Sequence, residues 1–346
     1  MSHEELAYAA AALALVGLMA YAILGGADFG GGVWDLFATG PRKHQQRLAI
    51  AQAMGPVWEA NHVWLIFVIV VLFTCFPYGY APLGVALFVP FHLALVGIML
   101  RGASFVFRGY TQQREQMGGS PGWGVVFGTA SVMTPFLLGC AFGAVTAGGV
   151  EVIEGRVIVT GWLPWLRPYS LGCGLLALST CAYLAGVYLT WETEGDLRED
   201  FRRRAIVAGT TTAGLALGVL VLAYWQANWF FAQLTSPRAW PVLLAGLFFF
   251  IASAWAVFSR RYALSRVFAA GEIVLLLAGW GLAQQPYMLY PSLTLTQAAG
   301  PAATIKFLLA TLPVGAILLV PSLWYLFKVF KTPMVESQTR PTYLPR

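Results

Sequence analysis

Long apolar segments dominate the chain, and polar residues are concentrated in the short connections between them. Nine of these segments are long enough to cross a bilayer, because about 20 helical residues span its hydrocarbon core. Backbone groups that face lipid must be paired within the segment, so we predict helices; the alternation typical of a barrel is absent. The predicted spans are approximately 7–37, 50–76, 81–107, 123–147, 163–191, 203–226, 240–259, 265–284 and 303–330.

Composition supports an integral membrane protein. Of the 346 residues, 58% are hydrophobic and 10% are charged, whereas soluble domains carry about 25% charged residues. Every connection is short, so we predict a single integral membrane domain over residues 1–346. The four cysteines lie in or beside apolar runs without a CxxC pair, which indicates small buried side chains rather than disulfides or metal ligands. No cleavable signal peptide is evident, and motifs for nucleotide binding or hydrolysis are missing.

The distribution of lysine and arginine predicts the orientation. Cytoplasmic connections are enriched in these residues. If alternate connections are assigned to opposite sides, seventeen of the 21 lysines and arginines lie on one side, and this count includes those of the C-terminal tail. The other side has only Arg156, Arg167, Arg238 and Lys306. The N-terminus is therefore expected outside and the C-terminus in the cytoplasm. The net charge of +6 reflects this bias and does not indicate nucleic acid.

Two polar sites interrupt the first two spans. Asp28 lies about twenty residues into the first span, among glycines that allow another backbone or a cofactor to approach closely. A carboxylate in hydrocarbon costs roughly 2.5–3.5 kcal/mol on insertion scales, so its presence suggests a function. Two interpretations remain open: Asp28 handles a proton or an ion, or it is a structural carboxylate that holds two helices together.

The second site is at the start of the second span. Glu59 lies three residues before His62, so the two share a helix face and could pass a proton through bound water. The alternatives are a structural role for Glu59 and a hydrogen-bonded helix contact for His62. Haem ligation by His62 and His92 is a further reading, but multi-haem membrane cytochromes usually need more intramembrane histidines. Arg101, deep in the third span, could pair with Asp28 or with Glu59.

Four segments resemble subunit II of the cytochrome bd-type quinol oxidases. In that family the first span carries Gly-Phe-Asp-(Leu/Phe/Met)-Gly-x-Gly, and this chain has Gly-Ala-Asp-Phe-Gly-Gly-Gly at 26–32. The second span begins with Gly-Pro-x-Trp-Asp-Gly-Asn-x-Val-Trp-Leu, and residues 55–65 read Gly-Pro-Val-Trp-Glu-Ala-Asn-His-Val-Trp-Leu. The arginine-bounded segment 101–108 and the outer connection 285–295 also resemble the family. Ala27, Glu59, Ala60 and His62 depart from its pattern and indicate a divergent branch.

The resemblance implies a fold of two four-helix bundles plus one peripheral helix. It implies a complex that oxidises quinol, reduces O₂ to water and takes the protons from the cytoplasm, generating proton-motive force. Two b-type haems and haem d would be bound by subunit I, so this chain would ligate no haem and no metal and would not be catalytic alone. Expected partners are subunit I, quinol, lipids and, in some complexes, a small single-span subunit, but no nucleic acid; a structural quinone occurs in some members.

The resemblance also implies roles for individual residues. A proton route would be formed by Glu59, Asp28 and His62. The side chains that support this site would be Trp58, Asn61 and Arg101. Trp64 would lie near a path for O₂. Two other functions remain open: a secondary transporter in which Asp28 and Glu59 bind a coupling ion, and a purely structural stabiliser of a haem subunit. The proline-containing outer connection 284–297 is expected to form a folded, non-helical cap.

Overall fold

Helices account for most of the computed structural model. It describes residues 1–115, 122–153, 156–159 and 163–331, without the side chains of 55–57, 59, 108–115, 326, 327 and 329–331. The α-helices are α1 (His3–Leu36), α2 (Lys43–Cys75), α3 (Pro77–Ala86), α4 (Phe88–Glu115), α5 (Gly122–Thr146), α6 (Pro168–Glu192), α7 (Gly195–Gln226), α8 (Asn228–Leu234), α9 (Trp240–Phe258), α10 (Tyr262–Gln284), α11 (Leu295–Ala298) and α12 (Ala302–Lys331).

The predicted number of membrane spans agrees with the helices. In the described ranges, α1, α4, α5, α6, α7, α9, α10 and α12 are each long and apolar enough to cross a membrane. The apolar part of α2, Ala60–Cys75, meets the same criterion when it is taken together with α3, which is bent away from it by 117°. The prediction of an all-α membrane protein with about nine spans is therefore confirmed.

The third predicted span, 81–107, is wrong at its start. Residues 77–86 form the separate helix α3, which begins with Pro77 at its first turn. Leu87 ends this helix, and Phe88 begins α4. Pro90 lies in the first turn of α4, where the N–H that proline lacks has no helical acceptor. The chain therefore breaks before Phe88, and the third span is α4.

Helix packing divides the spans into two groups. In the first group, α1 packs against α2 and α5, and α5 also packs against α4. In the second group, α6 and α9 each pack against α7 and α10. The groups meet where α6 contacts α1 and α5. Helix α12 packs on the edge of α1 and α2, and its Phe307 and Ile317 are each 71% exposed. This arrangement is compatible with two four-helix bundles and one peripheral helix.

Two short sheets lie in the connections, where no strand was predicted. Strands β1 (Val150–Ile153) and β2 (Arg156–Val159) form an antiparallel pair with Val150 opposite Val159. Strands β3 (Tyr287–Leu289) and β4 (Leu293–Thr294) form a second pair. Valine and isoleucine at six of the eight positions of β1 and β2 explain the first pair, because β-branched residues favour strands.

The connection 284–297 folds onto other connections of the same chain. Apart from β3 and β4 it contains the start of the short helix α11, which has a Thr294–Gln297 capping box. The Val152 N–H donates to the Ser292 hydroxyl at 3.0 Å, and the rings of Trp229 and Tyr290 stack with centroids 4.6 Å apart. The expected folded segment is thus present in this connection.

An ionic network joins the two helix groups at their other end. Arg42, just before α2, donates from Nε and Nη2 to the Asp200 carboxylate of α7 at 2.8 and 2.7 Å. Gln46 donates to the same carboxylate and accepts from Arg204 at 2.7 Å. The hydrogen-bonded carboxylate of Asp200 raises the pKa of Arg42 above its usual value. These contacts fix the start of α2 relative to the start of α7.

Candidate functional site

The glycine segment of α1 brings this helix close to two neighbours. A Cβ atom on Gly30 would overlap the backbone carbonyl of Cys181 on α6, and one on Gly32 would overlap the Ser131 side chain on α5. Glycine is therefore required at both positions for the observed helix spacing. Asp28 precedes these two glycines by two and four residues and is completely buried.

Asp28 forms a bidentate ion pair with Arg101 of α4. Arg101 Nη1 donates to Asp28 Oδ2 at 2.6 Å, and Nη2 donates to Oδ1 at 2.5 Å. Nη2 also donates to the backbone carbonyl of Asp28 at 3.0 Å. The Arg101 side chain is 3% exposed, so both charges are removed from solvent. Of the two partners that the sequence left open for Arg101, the structure brings Asp28 to it.

Asn61 and Ser131 complete the hydrogen bonding of the pair. Asn61 Nδ2 on α2 donates to Asp28 Oδ2 at 2.7 Å, and Arg101 Nε donates to Ser131 Oγ on α5 at 2.9 Å. Ser131 Oγ donates in turn to the carbonyl of Phe127 at 2.7 Å. The site therefore cross-links four helices, α1, α2, α4 and α5, through side chains.

Aromatic rings cover the guanidinium. The Arg101 Cζ atom lies 5.1 Å from the Phe29 ring centroid and 4.8 Å from that of Phe127, within the range of cation–π attraction. Arginine keeps its charge at all physiological pH values, so the pair is most stable with Asp28 ionised. Each Asp28 oxygen already accepts from a donor of the site, which leaves the carboxylate fixed in position.

Trp58 and His62 lie one helical turn apart on α2, next to this site. The His62 Nδ1–H donates to the Trp58 carbonyl at 2.7 Å, so Nε2 is the nitrogen left for other partners. The Trp58 ring contacts the His62 ring edge-on at 5.2 Å and stacks on Phe105 of α4 at 5.7 Å. The indole Nε1 of Trp58 is buried and has no hydrogen-bond partner among the described residues.

The remaining predicted residues are also on α2. Glu59 lies between Trp58 and Asn61 in the helix, and its side chain is outside the described part of the structure. Trp64 contacts Phe67 with ring centroids 6.1 Å apart. The structure therefore brings Asp28, Asn61 and Arg101 into direct contact, with Trp58 and His62 on the neighbouring part of α2.

The histidines show no paired arrangement for haem in the described part of the chain. His92 on α4 donates Nδ1–H to the Phe88 carbonyl at 2.7 Å and is exposed. No hydrogen bond or ring contact joins it to His62 within the described ranges. No group of three or more His, Cys, Asp or Glu side chains gathers there to hold a metal ion, and the four cysteines carry free thiols.

Sequence comparison identifies the family. The sequence profile described as "Cytochrome bd terminal oxidase subunit II" matches residues 6–330. The chain belongs to this family. It is 23% identical over 324 residues to a Bacillus subtilis protein assigned as a cytochrome bd menaquinol oxidase subunit II, covering 90% of this chain and 91% of that one.

Further members of the bd family agree in sequence and fold. Identity to the Bacillus subtilis cytochrome bd ubiquinol oxidase subunit 2 is 29% over 251 residues, covering 72% of this chain and 71% of that protein. A chain in the structure of bd oxidase from Geobacillus thermodenitrificans has the same fold, with a TM-score of 0.78 at 22% identity. The alignment covers 94% of this chain and 99% of that one.

Sequence reasoning missed two polar residues inside spans of this bd subunit II. Ser131 was not singled out, although it is a hydroxyl in the middle of the apolar run 123–147 and now supports Arg101. From the sequence, Glu272 can be interpreted as a side chain that reaches the membrane surface, because it lies six residues after Arg266, but its Oε2 atom is buried. In both cases the available signal was an isolated polar residue in an apolar span, where burial is costly.

Proposed function

We propose that this chain is the haem-free second subunit of a bd-type terminal oxidase. It would bind a haem-bearing subunit I, and the complex would oxidise quinol and reduce O₂ to water. The observation that carries the proposal is the family match over residues 6–330, which includes both polar sites of the first two spans.

The Asp28–Arg101 pair acts in this proposal as a positioning element. Its charges neutralise each other, and its hydrogen bonds hold α1, α2, α4 and α5 in one arrangement. Because the Asp28 carboxylate is fully engaged, these contacts favour the structural alternative for this residue over repeated proton uptake. Asn61 then positions α2, and with it Glu59, relative to the pair.

Proton transfer is assigned in the proposal to the middle of α2, where Glu59 and His62 lie. Glu59 would exchange protons with water from the cytoplasmic side, and the free Nε2 of His62 would extend the route. Asp28, neutralised by Arg101, would hold this part of α2 in place through its hydrogen bond with Asn61. Trp58 would hold His62 by ring contact, and Trp64 would lie along an oxygen path. Proton-motive force arises if quinol protons leave outside while consumed protons enter from the cytoplasm.

The first experiment purifies the tagged chain from native membranes in mild detergent and records a reduced-minus-oxidised absorption spectrum. Bands of haem b and haem d together with a larger co-purifying membrane subunit are expected. A colourless protein without a partner would refute the oxidase proposal, and ion transport by that protein in liposomes would establish the transporter alternative.

The proton role of Glu59 is tested separately in the purified complex. Glu59→Gln keeps the size of the side chain and removes its titration, so turnover is expected to fall while the haem spectrum stays unchanged. Glu59→Asp, which restores a carboxylate, is the control and should recover part of the activity. Full turnover in Glu59→Gln would remove the proton role and leave this subunit as a stabiliser of subunit I.

A further inference from the structure

A second carboxyl group lies inside the membrane, far from the Asp28 site along the chain. Glu272 is on α10, ten residues after the first residue of the helix and twelve before the last. At about 1.5 Å rise per residue, it is roughly 15 and 18 Å from the two ends of the helix, near the middle of the span. Its Oε2 atom is buried and has no hydrogen-bond partner among the described residues.

In the part of the chain that the structure describes, the helices that pack against α10 carry no cation beside Glu272. Helix α10 packs against α1, α6, α8 and α9. Helices α6, α8 and α9 contain no lysine, arginine or histidine, and α1 has only His3 at its first position. On α10 itself, the guanidinium of Arg266 lies over the rings of Trp191 and Tyr188, at 5.1 and 6.0 Å. An ionised carboxylate here would be buried without a counter-charge, so the neutral acid is strongly favoured.

A neutral acid needs an acceptor for its proton, and a tyrosine of α6 is close enough to Glu272 to interact with its charge. Tyr183 of α6 interacts electrostatically with Glu272. The Tyr183 hydroxyl is hydrogen-bonded to Ser253 Oγ of α9 at 2.6 Å, and Ser253 Oγ donates to the carbonyl of Ser265 at 3.2 Å. Since Ser253 has one hydroxyl proton, Tyr183 is the donor to Ser253, and the Tyr183 oxygen is left able to accept.

Thr180 adds an unpartnered hydroxyl on the same side of α6. It precedes Tyr183 by three residues, so the two side chains are neighbours on the helix surface. Its Oγ1 atom is buried without a hydrogen-bond partner among the described residues, like Glu272 Oε2. Buried polar groups of this kind are usually satisfied by internal water, which makes about three hydrogen bonds.

We propose that Glu272, Tyr183 and Thr180 form an internal site that binds water and holds one exchangeable proton. The site lies between α6, α9 and α10. Glu272 is the neutral acid that donates through water to the Tyr183 oxygen, and Thr180 binds the water. The donor order then runs from Glu272 through Tyr183 and Ser253 to the Ser265 carbonyl. The site does not depend on the route assigned to Glu59.

Infrared spectroscopy of the intact complex in membranes tests the site, because a protonated carboxylic acid has a C=O stretch distinct from that of a carboxylate. We expect one acid band to be lost in Glu272→Gln and to shift in the wild type after transfer to heavy water. In Tyr183→Phe the band should move to higher frequency, since the water that accepts from the acid loses its own acceptor and is held less firmly. The band should be unchanged in the control Gln284→Leu, which alters another buried, unpartnered side chain of α10 that cannot hold a proton.

Two results would overturn the inference. If Glu272→Gln leaves the acid region of the spectrum unchanged, Glu272 is ionised; if the band ignores heavy water, the proton does not exchange. If Glu272→Gln does not accumulate in the membrane, Glu272→Asp is measured instead. An acid band at an altered frequency in that variant supports the site, and an unaltered spectrum refutes it. The measurement uses resting protein, so its outcome is separate from that of the turnover test on Glu59.

Discussion

Breaking the Asp28–Arg101 pair on one side should destabilise the protein strongly. Asp28→Asn keeps the size of the side chain but leaves the guanidinium of Arg101, which is 3% exposed, without a counter-charge. Removing one partner of a buried ion pair costs about 3–5 kcal/mol. The new amide also directs N–H donors toward donors of Arg101 or Asn61, because both Asp28 oxygens accept hydrogen bonds in the native site.

The double variant distinguishes a charge effect from a general packing effect. Arg101→Gln alone leaves Asp28 buried and unpaired, with a similar expected cost of about 3–5 kcal/mol. Asp28→Asn with Arg101→Gln removes both charges, and we expect a remaining loss of about 1–3 kcal/mol from imperfect hydrogen bonds. The double variant should therefore be more stable than either single variant.

The assay is unfolding of the purified protein by SDS in mixed micelles, followed by tryptophan fluorescence, with each variant compared at one protein concentration. Asp196→Asn is the matched control, because the carboxylate that it removes is 85% exposed in its pair with Arg42. A loss below about 1 kcal/mol is expected there. If the losses in the free energy of unfolding of the two single variants add up in the double variant, the account of a coupled buried pair is refuted.

Further variants test packing and polar contacts by the same unfolding assay. Gly30→Ala should destabilise by about 1–3 kcal/mol, because its Cβ would overlap the Cys181 carbonyl, whereas Gly218→Ala on α7, with open space around it, should be neutral or gain up to about 1 kcal/mol. Equal effects would contradict the close approach. Ser131→Ala should cost about 1–3 kcal/mol by leaving Arg101 Nε without its acceptor, and an unchanged unfolding midpoint would show that water replaces the hydroxyl.

The sequence was sufficient for the spans and for part of the site. Apolar length located about nine spans, with the start of the third misplaced, because a helix is the structure that pairs its own backbone in lipid. Asp28 and Arg101 could be named as costly polar residues, but their spacing along the chain could not decide between Asp28 and Glu59 as the partner. That choice depends on how α1, α2 and α4 pack, which follows from contacts distributed over whole helices.

Other features could not be obtained from hydropathy. The break between α3 and α4 lies just before Pro90, and the apolar segment 81–107 runs across it. The strand pair β1–β2 is too short to show a periodic pattern, and it is stabilised in part by a distant residue, Ser292. Ser131 became a site residue only because the packing of α5 places its hydroxyl beside Arg101.

The separation of Asp28 and Arg101 along the chain has a consequence for biogenesis. The two residues are 73 positions apart, on the first and third spans, so they leave the ribosome at different times. Until α4 arrives, α1 carries an unpaired carboxylate, which costs roughly 2.5–3.5 kcal/mol on insertion scales. We therefore expect α1 to stay beside the insertion machinery during translation and to enter the lipid together with α4, as one neutral unit.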